Sequence, residues 1–207
     1  MHDLLTACPV LADKARKGEV VFQLNFNLHF KTATWNVDLV LGRPAVPQAP
    51  GDREPIGRES PSTVEIASVM TAHRKAVKNR KRDLEAHHEH VHNYDLRAIA
   101  GGVLVVNSAA EFQSTLLTGV TKHATSKQLL ISTVTHCISE LRNVGERGTV
   151  AEQGMDAKCA LVLDMDNINV AGTRYETHPP SPQVGDPLHY DSFLQRICDQ
   201  YQARFGS

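Results

Sequence analysis

The chain has 207 residues, 41% apolar and 22% charged, with a formal net charge of −1. These values fit one globular domain with a real core and exclude a disordered or low-complexity protein. No apolar run approaches bilayer length, and near-neutrality gives no global pull towards nucleic acid, so any polyanion contact must rest on a local patch.

The opening HDLLTACPVLADKARKG reads as helical, with Gly18 as its stop and Pro9 either starting the regular part or kinking it. It lacks the charged-then-apolar layout of a secretory signal, which sets a cytoplasmic location as the expectation. In EVVFQLNFNLHFKT, Val21, Gln23, Asn25 and Asn27 alternate with Phe22, Leu24, Phe26 and Leu28, the period-two signature of a strand with one apolar face. TWNVDLVLG is a second strand ending at Gly42, and a polar Pro/Gly-rich loop covers roughly residues 43 to 61. STVEIASV makes a third strand. An unbroken helical pattern then runs from Thr71 to about His92, and GGVLVVN is a short strand apolar on both faces. Further on come a helix within residues 122 to 143, a buried strand AKCALVLDM and a rigid loop THPPSPQVGDP. Asp186 and Pro187 read as the start of a final helix through about Phe205, amphipathic through Phe193, Ile197 and Tyr201, which either closes the core or meets a second copy. No repeat or linker divides the chain, so a single α/β domain spanning 1–207 is expected. Cys8, Cys137, Cys159 and Cys198 are widely spaced with no Cys-x-x-Cys pair, which favours reduced, buried thiols over disulfides.

Two carboxylates interrupt apolar strands. On alternation Asn36, Asp38 and Val40 share one face of the second strand, Val37, Leu39 and Leu41 the other, while Glu65 shares a face with Ala67 in the third. A lone buried carboxylate is costly unless it is paired, hydrogen-bonded or metal-bound. Two on adjacent strands suggest a shared divalent cation with oxygen ligands and water, a description that suits magnesium. The plainer reading leaves both at strand ends, solvated or bonded to Lys31 or Arg53.

The order helix–strand–strand–strand–helix–strand, with an acid on the second strand and Glu on the third, resembles the PD-(D/E)XK nuclease superfamily, the restriction-endonuclease-like proteins. The resemblance is clearest over residues 34 to 107 and extends from residue 3. It implies an αβββαβ core with a mixed sheet flanked by helices. It also implies a DNA endonuclease, such as a type II restriction enzyme, hydrolysing phosphodiesters of double-stranded DNA as a homodimer with Mg2+. Asp38 and Glu65 would then hold the metal, joined by the main-chain carbonyl of Ile66. The sequence departs at Ala67, where the family pattern has Lys. Three readings stay open: a Lys-to-Ala variant, transfer of the role to Lys31, Lys75 or Arg80, or loss of cleavage leaving a DNA-binding module.

Six basic residues lie between 74 and 82. At about 100° per residue, Arg74, Lys75, Lys78, Lys81 and Arg82 fall within an arc of about 120°. Val77, Leu84 and Val91 line another side at seven-residue spacing, joined by His73, Arg80 and His87. Such a cationic stripe repels itself unless phosphate neutralises it, which makes it a candidate DNA contact, with His73 and Arg80 near the scissile phosphate; a solvated charged face is the ordinary alternative. HEHVH at 88–92 matches the zinc-peptidase pattern through His88, Glu89 and His92. The surrounding histidines make a chance match easy, and no third ligand is marked, so a zinc metallopeptidase is the minor alternative.

Overall fold

Pro9 divides the N-terminal helical stretch in two, its ring fitting the first turn of the second piece, where no N–H donor is needed. In the computed structural model, which describes residues 1–29, 34–45, 62–114, 119–168 and 172–206, α1 spans His2–Ala7 and α2 Pro9–Arg16, with Gly18 at φ +71° turning the chain out. The strands β1 (Val21–His29), β2 (Thr34–Gly42) and β3 (Ser62–Val69) form an antiparallel meander. The helix α3 (His73–Tyr94) then returns the chain to β4 (Ile99–Asn107), parallel to β3. A small hairpin, β5 (Glu111–Gln113) and β6 (Val120–Lys122), precedes α4 (Lys127–Arg142). The strand β7 (Ala157–Asp164) lies parallel to β4, β8 (Arg174–Tyr175) closes the edge, and α5 (Tyr190–Phe205) ends the domain. The result is a mixed six-stranded sheet in the order β1-β2-β3-β4-β7-β8, flanked by helices.

The expected strands and helices are present. The hairpin and β8 add to them, since pieces of two or three residues carry no period that a sequence could show. The final helix starts at Tyr190, three residues later than Pro187 suggests. His189 caps it by accepting the Asp191 N–H, while Asp186 accepts the Leu188 N–H in a separate turn. Lys31, Arg53 and residues 46–61 of the expected loop lie outside the described residues.

Each face of the sheet has its own core. Val37, Ala67, Val69, Leu104 and Val106 pack with α3 and α4 through Val77, Leu84, Val91, Val134 and Leu141. Leu41, Val64, Ile99, Val103 and Cys159 pack with α1, α2 and α5 through Leu4, Leu11, Phe193, Ile197 and Tyr201. Val77, Leu84 and Val91 are each 1% exposed, so the seven-residue line is the buried seam of α3; each contributes roughly 2 kcal/mol of apolar burial. The pair Gly101–Gly102 lets both layers close on β4: a Cβ on Gly101 would meet Ile197 and Val64 at 3.2 Å, and one on Gly102 would collide with Met155. Phe193, Ile197 and Tyr201 are buried within the chain, so α5 closes the core.

Two expectations are corrected. Cys8 and Cys198 form a disulfide with Cα atoms 5.2 Å apart, bridging 190 residues, while Cys137 and Cys159 are free and buried. Local spacing could not reveal a pair that arises only when the start of α2 packs on α5. The alternation in β2 also breaks at Asp38: Val37 packs into the α3 layer and Leu41 into the opposite one. On β1, Asn25, at φ +52°, makes the matching break; Phe22 and Leu24 before it are 53% and 61% exposed, whereas Phe26 packs on the α3 layer. Among the described residues no helix is long and apolar enough to cross a membrane.

Candidate active site at the β2–β3 fork

The ladder between β2 and β3 runs only through Leu39↔Val64, Val40↔Thr63 and Leu41↔Ser62. Beyond Leu39 the Asp38 carboxylate takes over the role of a ladder carbonyl: its Oδ2 accepts the Ile66 N–H at 2.7 Å. This bond fixes the aspartate beside the neighbouring strand and explains the broken alternation. It uses the N–H of Ile66, a residue that is 50% exposed.

Glu65, one residue back on β3, turns towards α3 with its side chain 18% exposed. Its Oε2 is buried and has no hydrogen-bond partner among the described residues. Burial, then the charge of Asp38, then that of Asp83 push the Glu65 carboxyl up to about 7, with Arg80 acting the other way. The charge of Asp38 thus acts on Glu65 across the fork.

Behind Glu65 stands His87, fully buried on α3. Its Nε2 lies 3.2 Å from Thr63 Oγ1, and its Nδ1 lies 3.8 Å from Glu65 Oε2 with no hydrogen-bond partner. Burial, followed by the neighbouring histidines 88, 92 and 90, lowers its pKa to about 3, so the ring is neutral and the 3.8 Å approach is not an ion pair. Sequence reasoning does not single out Thr63 and His87 as site residues. The available signal is the seven-residue line that puts His87 on the buried side of α3.

Ala67 is 3% exposed and packs into the α3-side core, so position 67 presents no cation to the fork. Of the three residues considered as substitutes, Lys31 lies outside the described residues and Lys75 is exposed. Arg80 acts electrostatically on Glu65 and pairs with Asp83 at 3.1 Å.

Arg74, Lys75, Lys78 and Arg82 are exposed along α3 and make no ion pair among the described residues. Lys81 is partly covered and lies 3.9 Å from both Glu85 and Glu140. His73 lies on the buried side of α3, where the seven-residue line puts it: it is 4% exposed, with Nε2 2.7 Å from the Asn107 carbonyl, so it packs the start of α3 against the end of β4, and its expected place beside the scissile phosphate is corrected.

The zinc-peptidase pattern is not assembled. His88 and His92 are buried, Glu89 is exposed, and His92 Nε2 lies 3.3 Å from Asp156 Oδ2. Among the described residues, no three His, Cys, Asp or Glu side chains form a ready-made metal cage. A separate cleft of about 510 Å³ at the β7–β8 end is lined by Asp3, Glu176, Asp191, Tyr175 and Tyr190; its carboxylates make it unsuited to phosphate.

No known protein family, curated protein or solved structure matches the chain. The functional reading therefore rests on this geometry.

Proposed function

We propose that the chain is a magnesium-dependent nuclease of the restriction-endonuclease-like type, acting on double-stranded DNA. The observation that carries this reading is the Asp38–Glu65 pair at the β2–β3 fork. One carboxylate is pinned to the neighbouring strand, and the other keeps an orphaned oxygen in a place where desolvation penalises its charge. An unpartnered buried carboxylate oxygen is the donor a hard cation takes, with water and phosphate oxygens completing the shell. Asp38, Glu65 and the Ile66 carbonyl would hold the ion, which supplies Lewis-acid activation of the attacking water and stabilises the departing oxygen. The exposed cations of α3 would hold the phosphate backbone, and Arg80 would face the reacting phosphate from α3. Cutting both strands at a symmetric sequence calls for a two-fold homodimer.

A second reading, a DNA-binding module without cleavage, is favoured by the buried Ala67 and by the pairing of Arg80 with Asp83. Ala67→Lys separates the two. Under the nuclease reading, this variant nicks or cuts supercoiled plasmid with Mg2+ at least about tenfold faster than the parent, and adding Asp38→Asn abolishes the gain. A folded Ala67→Lys protein that still binds DNA but gains no cutting decides for the binding module.

A further inference from the structure

We propose that His87 is a ligand of the cation held by Glu65, so that the fork binds a first-row transition ion more tightly than magnesium. The inference rests on reading Asp38 and Glu65 as a cation site, and it starts from hydrogen-bond accounting around His87. Thr63 Oγ1 lies 3.3 Å from the Ile99 carbonyl, which can only accept, and we assign the hydroxyl proton to that contact. With that assignment His87 Nε2, 3.2 Å from the same oxygen, donates to Thr63, and Nδ1 carries a bare lone pair. That lone pair faces Glu65 Oε2 at 3.8 Å, and neither atom has a hydrogen-bond partner among the described residues.

Two buried acceptors facing each other are unfavourable unless something positive lies between them. A shared proton needs a heavy-atom separation of about 3.2 Å or less, and 3.8 Å exceeds that. An ion does fit. With metal–ligand bonds of about 2.1 Å to each atom, the 3.8 Å gap is spanned at an angle of roughly 130°, and a closure of about 0.4 Å makes it tetrahedral. The ring is also held as metal-bound imidazoles are, with its other N–H engaged by a neighbouring oxygen. His87 adds one donor to the ligands proposed above, and solvent or phosphate oxygens complete the shell. An imidazole nitrogen in that shell favours first-row transition ions over magnesium, which prefers oxygen.

The chelator-treated 207-residue chain is titrated with Co2+ by visible absorption and with Mg2+ by calorimetry. The variants are His87→Gln, whose amide can still donate to Thr63 but has no atom at Nδ1, and Glu65→Gln. The wild type is expected to bind Co2+ at least about tenfold more tightly than Mg2+. His87→Gln weakens Co2+ by about 10–100-fold and Mg2+ by less than about threefold, whereas Glu65→Gln weakens both. Proton NMR of the wild-type Co2+ complex, which needs no variant, is expected to show a strongly shifted, exchangeable imidazole N–H. If that resonance is absent, or His87→Gln keeps full Co2+ affinity while Glu65→Gln loses both ions, the role of His87 is overturned and the nuclease site stands. If the wild type binds neither ion, both readings fall.

Discussion

Glu65 is a carboxyl whose environment disfavours its charge, and this has a measurable sign. Its folded pKa of about 7 lies above the ordinary 4.5, so the folded state holds the proton more tightly than the unfolded one. The associated stability is fully present below about pH 4.5, declines as pH rises towards 7 and is gone above that. In metal-free protein, Glu65→Gln is therefore expected to be neutral at about pH 4 and stabilising by about 2 kcal/mol at about pH 8, somewhat below the full linkage value because the carboxyl keeps some solvent contact. Urea denaturation at the two pH values measures this; equal effects at both would show that Glu65 is well solvated. The candidate pair itself is legible at this scale, since Asp38 and Glu65 stand out as acids in apolar strands. The orphaned partner, His87, is hidden because His73, His87, His88, His90 and His92 share one helix and nothing local marks which neighbour each one faces.

At the scale of elements, α3 performs three tasks. Val77, Leu84 and Val91 fasten it to the sheet, His87 backs Glu65, and Arg74, Lys75, Lys78 and Arg82 face solvent. If the exposed cations hold DNA phosphates, Lys78→Glu with Arg82→Glu lowers affinity and flattens the dependence of log K on log salt by about two, whereas Lys81→Ala has a smaller effect because Glu85 and Glu140 already lie beside that amine. Fluorescence anisotropy across a salt series reads both; an unchanged slope in the double variant would assign the stripe to solvent. Helical periodicity alone separates the stripe from the seam. It also puts His73 on the seam side, but not against its partner, because the Asn107 carbonyl belongs to another element.

Across the molecule, α5 is tied down twice. The disulfide joins Cys8 to Cys198, and a buried charge cluster joins α5 to the sheet. In that cluster Asp156 receives Arg147 Nε at 2.8 Å, Arg204 Nη2 at 2.5 Å and the Ala100 N–H at 2.8 Å. Burial alone would push the Asp156 carboxyl up, but the bonds from His92, Arg147, Arg204 and Ala100 outweigh it and hold it well below the usual carboxylate range. A depressed folded pKa gives stability that is present above about pH 4 and lost as pH falls further. Asp156→Asn leaves two buried guanidinium groups underpaired and is expected to cost about 3–5 kcal/mol in chemical denaturation at about pH 7; a loss below about 1 kcal/mol would mean the arginines find other partners. Thiol titration of unreduced, denatured protein is expected to find the two thiols of Cys137 and Cys159, and finding four would rule out the bridge.

Reading along the chain is enough to find the elements that carry a period and the odd residues within them: the strands of the first half, the seam and stripe of α3, and the acids Asp38 and Glu65. These are properties of neighbours along the chain, where alternation and helical spacing record which side of an element meets the core. The antiparallel pairing of β1, β2 and β3, the 190-residue disulfide, the Asp156 cluster, the facing orphan atoms of Glu65 and His87, and the break in β2 made by the Asp38–Ile66 bond come from packing. Each of these joins residues from different elements, and a pairing of that kind exists only once packing has set the distance between them.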